Sequence, residues 1–240
     1  MESDKNILDV YCSDTEFNGS HSGSTVKAKE HSVRCKRYII TDGIIGDKIE
    51  DSDIELIYEP ECRIRKACSI VKKIEQPAII LVSVGSFEAS SQSMDAKDTS
   101  AGGNTILTVN RVVEKIMRPL RRTAELVNDA GGVIIMSTPF PCPKEQDITV
   151  SNNKQHMCEV ISQVYVALRT EFIGLNNRLG VSGPNISRYG EKSGKRQKFK
   201  FSLQQSINLK VFKEDLVHPT VEVQHRLMKM CIKSIKHYDD

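Results

Sequence analysis

Ala78-Ile79-Ile80-Leu81-Val82-Ser83-Val84 is a continuous apolar run of strand length. It has no gap at helical spacing, so it predicts a central strand covered on both faces. The run ends at Gly85. Beyond it, residues 92–104 are rich in Ser, Asp and Gly and predict a surface loop. Ile106 to Asn128 then reads as a long helix ended by Gly131-Gly132, with Pro119 inside it, where a kink or a division is expected. Val133-Ile134-Ile135-Met136 is another buried strand, closed by Ser137-Thr138-Pro139-Phe140-Pro141. An amphipathic helix follows from Val150 to Phe172, then a polar Gly-rich segment to about Ser206, a short strand from Ile207 to Phe212, and a final helix from Val221 to His237.

On the amino-terminal side, Tyr38-Ile39-Ile40 is a β-rich run that stops at Thr41-Asp42-Gly43, and a second run, Ile54 to Tyr58, stops at Glu59-Pro60. Cys62 to Glu75 places Ile64, Ala67, Cys68, Val71 and Ile74 at helical spacing, with basic residues between them. Strands alternating with helices predict an α/β fold, a three-layer α/β/α sandwich with a mostly parallel sheet and right-handed crossovers. Functional residues of such folds gather at the carboxyl ends of the strands. Those ends are Thr41-Asp42-Gly43, Gly85-Ser86-Phe87-Glu88 and Ser137-Thr138-Pro139, with the turn Asp215-Leu216-Val217-His218 ahead of the last helix.

The 240 residues, 39% apolar and 27% charged, are enough for one sizeable soluble domain. Residues 1–34 are dominated by Ser, Asp, Gly, His and Lys around one apolar patch, Ile7-Leu8-Asp9-Val10-Tyr11, and read as a flexible polar tail. The domain is expected over 35–240. Met1-Glu2-Ser3-Asp4-Lys5 has neither the basic start nor the apolar stretch of a secretory signal, and no apolar run is long enough for a membrane span. A cytoplasmic protein without membrane partners is expected. Seven cysteines, an odd and scattered set with no Cys-x-x-Cys pair, argue against a disulfide framework and a zinc site, and read as reduced, mostly buried thiols. No metal or other cofactor is expected.

In block order and spacing the chain resembles the SGNH (GDSL-type) hydrolases over roughly Tyr38 to Ile235, which implies their flavodoxin-like sandwich. In that family a Gly-Asp-Ser motif after the first strand supplies the nucleophile. A glycine after the second strand and the Asn of a Gly-x-Asn-Asp motif after the third supply oxyanion donors, and Asp-x-x-His supplies the base and its orienting carboxylate. The matching stretches here are Thr41-Asp42-Gly43, Glu59-Pro60-Glu61, Gly85-Ser86-Phe87-Glu88 and Asp215-Leu216-Val217-His218. Only the last is intact. Gly43 has no hydroxyl, Phe87 puts an apolar ring where an amide donor belongs, and Glu61 puts a carboxylate beside a developing oxyanion. Losing one oxyanion donor alone costs about 2.7–4 kcal/mol. The resemblance therefore implies a chain that is not an enzyme, in which Asp215 and His218 persist to cap and orient the last helix. A relocated nucleophile among Ser83, Ser86 and Ser137, and a carboxylate pair of Glu61 with Glu88, are the alternatives near the same edge.

The net charge of +3 is too small by itself to imply nucleic acid, but its distribution is uneven. Basic groups fall at Arg34-Cys35-Lys36-Arg37, at Arg63-Ile64-Arg65-Lys66 with Lys72-Lys73, at Arg118 with Arg121-Arg122, and at 192–200, where Lys195, Arg196, Lys198 and Lys200 stand among Ser, Gly, Phe199 and Phe201. Cations interleaved with aromatic rings suit single-stranded RNA, and a solvated basic loop is the plainer reading of the same residues. A noncatalytic SGNH-like domain with basic patches is similar to the C-terminal domain of the Oskar family of insect germ-plasm organisers. That resemblance implies single-stranded mRNA and proteins of a ribonucleoprotein granule as partners. The RNA contacts expected are Lys195, Arg196, Lys198 and Lys200, with Arg63, Arg65, Arg121 and Arg122 as extensions. A protein-interaction module and an esterase with a relocated site are the competing classes.

Overall fold

The computed structural model describes residues 35–88, 105–142, 152–190 and 208–238. The expected tail at 1–34, the loop at 92–104 and the basic run at 192–200 lie outside them. Four strands, β1 (Lys36–Thr41), β2 (Ile54–Tyr58), β3 (Ala78–Ser83) and β4 (Val133–Met136), form one sheet in the order β2-β1-β3-β4. Every pairing is parallel, with Ile40 opposite Val82 and Ile80 opposite Ile134. All six residues of β3 are buried, as a strand covered on both faces requires.

The crossovers are helices α1 (Ile64–Val71) and α2 (Thr105–Asp129), and α3 (Asn152–Arg178) follows β4. A one-turn helix, α4 (Ser187–Gly190), and a 3₁₀ turn (Leu209–Val211) lead to α5 (Val221–Lys236). Helix α2 packs against α1 and α3, while α5 packs on β3 through Leu227, Met228, Cys231 and Ile235. The result is the three-layer sandwich, with its core running from Ile39 and Ile40 through Leu81 and Ile135 to Leu168 and Phe172. Cys62, Cys68 and Cys231 are buried in it, and Cys142 is buried elsewhere. Among the described residues no helix is long and apolar enough to cross a membrane.

Two expectations change. Helix α3 runs on to Arg178, well past Phe172; Pro119 lies inside α2, which stays one helix. No strand forms over the described part of 207–212. Asn208 accepts the N–H of Lys210 on its side chain (3.3 Å), which starts a 3₁₀ turn, and only Phe212 makes an isolated antiparallel bridge, to Pro219.

Candidate functional site

The carboxyl ends of β1, β2 and β3 bring the first three family-like blocks to one edge of the sheet. After β1, Thr41 Oγ1 accepts the N–H of Gly43 (3.1 Å) and Asp42 Oδ1 accepts that of Ile44 (3.1 Å), closing a tight turn. Gly43 has φ +99°, a region that residues with a Cβ rarely adopt. A Cβ placed there would stand 3.0 Å from Cε2 of Tyr58, so the Tyr58 ring would have to give by a few tenths of an ångström to admit a side chain. Gln224 of α5 donates from Nε2 to the Gly43 carbonyl (3.2 Å) and ties the turn to the last helix.

Asp42 is fully buried, and burial pushes its carboxyl up to about 7, against the pull of the Ile44 N–H and with nearby Glu88 adding to the rise. Its Oδ2 has no hydrogen-bond partner. Glu61 is exposed in the left-handed region (φ +53°), whereas Glu88 is buried and points its carboxylate at the start of α1. There Glu88 Oε1 accepts the N–H of Ile64 at 2.6 Å. These placements do not make the Glu61–Glu88 pair considered from sequence, since Glu88 is committed to a helix end. Phe87 is half-buried.

Each alternative serine is buried as well. Ser86 Oγ accepts the N–H of Phe140 (3.1 Å), and Ser137 Oγ has no hydrogen-bond partner. None of Ser83, Ser86 and Ser137 is hydrogen-bonded to His218, whose Nδ1 lies 2.7 Å from Asp215 Oδ2. Asp215 Oδ1 accepts the N–H groups of Val217 and His218 (2.9 Å each). Partial burial alone would raise the Asp215 carboxyl, but these N–H groups and the imidazole outweigh it and lower it to about 2. Both side chains remain partly exposed. The carboxylate thus closes its own turn. It does not cap α5, whose N-cap is Thr220, so the helix-capping role expected for Asp215 and His218 gives way to a self-contained turn.

With this geometry, comparisons with known proteins give a likeness of structure only. No protein-family model matches the chain, and no curated protein matches it in sequence. Among solved structures, a GDSL-like lipase from Bacteroides thetaiotaomicron aligns with TM-score 0.53 at 13% identity over 85% of this chain and 89% of that one. An acylhydrolase-type protein from Bacteroides fragilis aligns with TM-score 0.53 at 12% identity over 85% and 88%. The fold is the SGNH-hydrolase fold. In this sandwich the stretches singled out from sequence at Thr41, Glu59 and Gly85 follow β1, β2 and β3, while Gly43 carries no side chain and the Asp215–His218 pair is bonded within its own loop.

A second feature lies on the helical face. Arg65, Ser69 and Lys72 of the α1 segment and Glu114, Lys115, Arg118 and Arg122 of α2 line a groove of about 660 Å³, with Cys68 and Pro119 in its wall. Two basic groups some fifty residues apart in sequence therefore meet across one helix–helix seam. Burial raises the pKa of Glu88, against the pull of the Ile64 N–H, of Arg63 at the N-cap of α1 and of Arg65. Arg121, grouped with Arg122 in the sequence, points elsewhere, since neighbours on a helix diverge by about 100°. Its guanidinium bonds Glu114 Oε2 and Glu171 Oε2 at 2.8 Å each, and the Glu171 contact, before the others, raises its pKa. Arg121 thereby neutralises Glu114, the acid in the groove lining. Lys195, Arg196, Lys198 and Lys200 lie outside the described residues.

One structural residue escaped the sequence reading. Asn176, buried on α3, accepts the N–H of Met136 on Oδ1 (2.9 Å) and donates from Nδ2 to the Met136 carbonyl (2.7 Å). A side-chain amide thus caps the outer edge of β4, and Thr138 N–H continues the cover by bonding the Pro184 carbonyl (3.1 Å). Nothing near Asn176 in the sequence marks it, because the contact spans 40 residues.

Proposed function

We propose that this chain is a noncatalytic SGNH-type domain that binds single-stranded RNA, in the manner of the Oskar family's C-terminal domain, and helps assemble a cytoplasmic ribonucleoprotein granule. The observation that carries the reading is the groove in which Arg65, Lys72, Arg118 and Arg122 converge while Arg121 holds its acid. Cations on both walls neutralise successive phosphates of one strand, and each contact adds about 0.7 to the logarithmic salt slope. Phosphate contacts position a strand without reading its bases, so sequence preference is weak. On sequence grounds Lys195, Arg196, Lys198 and Lys200 extend the same contact, with Arg63 at the mouth of α1. The absence of a hydroxyl at Gly43 supports binding rather than ester hydrolysis.

The test is a fluorescence-anisotropy titration of labelled single-stranded RNA at two salt concentrations on wild type and on Arg118→Glu with Arg122→Glu. Wild type is expected to bind with a steep salt dependence. The double variant is expected to bind weakly, with a slope smaller by about 1.4 from two lost contacts and an unchanged melting temperature. Equal binding by both proteins moves the site off the groove. No binding by wild type at low salt rejects RNA and leaves a protein-interaction module, and turnover of a short acyl ester that is lost in His218→Ala rejects the noncatalytic reading.

A further inference from the structure

Helix α1 has eight residues and carries one wall of the basic groove, yet it begins without a cap of its own. The N-cap residue, Arg63, has no oxygen on its side chain and makes no side-chain cap bond, and no acidic residue lies in the first turn. The first N–H groups of any helix lack intrahelical partners. Here the partner of Ile64 N–H comes from 24 residues further along the chain: Glu88 Oε1, at 2.6 Å, from the turn that follows β3. That turn is itself closed by the Glu88 N–H on the Gly85 carbonyl (3.2 Å).

Glu88 is 6% exposed, and a carboxylate so buried persists only where donors and opposite charge meet it. Burial raises the Glu88 pKa, and the Ile64 N–H, Arg63 and Arg65 draw it back toward the ionised form. Beyond its first turn, α1 is held by its buried face, Ala67, Cys68 and Val71. The helix is therefore held at its start by Glu88 and along one face by the core.

We infer that Glu88 is the positioning residue of the basic groove: its carboxylate fixes the first turn of α1, and with it Arg65, opposite Arg118 and Arg122. This rests on the RNA-binding reading of the groove. Ile64, Ala67, Cys68 and Val71 are buried and hold α1 on the core without Glu88. Loss of the carboxylate therefore frays the first turn rather than unfolding the domain, and RNA must reorder that turn on binding. Losing a cap of this kind corresponds to about a fivefold loss of affinity.

The experiment compares wild type, Glu88→Leu and Glu88→Gln, as full chains, by anisotropy of a labelled oligouridylate well below every melting transition, with amide hydrogen exchange over Ile64–Ala67 measured alongside. Glu88→Leu is expected to bind about fivefold more weakly and to lose protection at Ile64. Glu88→Gln keeps an acceptor for the Ile64 N–H and is expected to bind within about twofold of wild type. A merely structural role would lower the melting temperature and leave the affinity of the folded protein unchanged. Should Glu88→Leu not fold, Glu88→Asp keeps the charge but withdraws the acceptor by one methylene and is expected to show the same loss. Equal affinity of wild type and Glu88→Leu, or equal weakness of Glu88→Gln and Glu88→Leu, overturns the inference. If wild type binds no RNA, the proposed function falls, and unchanged protection of Ile64 in Glu88→Leu overturns the hold of Glu88 on α1 separately.

Discussion

Replacing Asp42 by asparagine should remove a pH dependence of stability that runs opposite to ordinary acid lability. The Asp42 carboxyl is held at about 7 in the folded chain against a reference of 3.8, chiefly by burial. A folded pKa above the unfolded one means that the native state binds the proton more tightly. Its contribution is therefore complete below about pH 4 and is lost as pH rises through about 7. At 1.36 kcal/mol per unit, the whole shift amounts to about 4 kcal/mol, of which about 2–3 falls between pH 5 and pH 8. The asparagine side chain retains an acceptor for the Ile44 N–H and carries no charge to desolvate. Urea unfolding of both proteins at intervals from pH 5 to pH 8 reads the difference, because every other titrating group is common to the pair. The wild-type curve should fall relative to that of Asp42→Asn by about 2–3 kcal/mol over this range. Parallel curves would refute the reasoning, and so would a wild type that gains on the variant as pH rises.

Gly43→Ala is expected to cost about 1–3 kcal/mol, from its left-handed backbone and the approach to Tyr58, and Tyr58→Ala in that background should return only the crowding part, as thermal melts will show. Asn176→Leu leaves the N–H and carbonyl of Met136 without their partners and should lower stability by about 2–5 kcal/mol in chemical denaturation. His218→Ala and wild type are both expected to leave hydrolysis of a chromogenic short-chain ester at the buffer rate, with the variant changing only the stability of the 213–220 turn.

The sheet was legible because its signals are local. Ile54 to Tyr58 and Val133 to Met136 form strands over the residues their apolar runs mark out, and the run at Ala78 is buried at every position. Runs of branched residues bounded by Gly and Pro leave a chain few other ways to cover both faces. The strand expected at 207–212 failed for an equally local reason, since the Asn208 side chain competes for the backbone and starts a turn. The helix end at Phe172 was placed too early because the burial of Leu175 and Asn176 depends on β4, which lies far away in sequence.

The order of the family-like blocks, and with it the absence of a hydroxyl at position 43, is a property of the sequence alone, because covalent order places each block after its strand. What surrounds those residues is not. That the Tyr58 ring lies close to Gly43, that Asp215 closes its own turn rather than capping α5, and that Glu88 caps α1 follow only from packing. Likewise the sequence showed two basic groups at 63–73 and 118–122, but a helix turns its neighbours apart by about 100° per residue. Only the docking of α1 on α2 decided that Arg65, Lys72, Arg118 and Arg122 share a groove while Arg121 pairs with Glu114 of its lining and with Glu171.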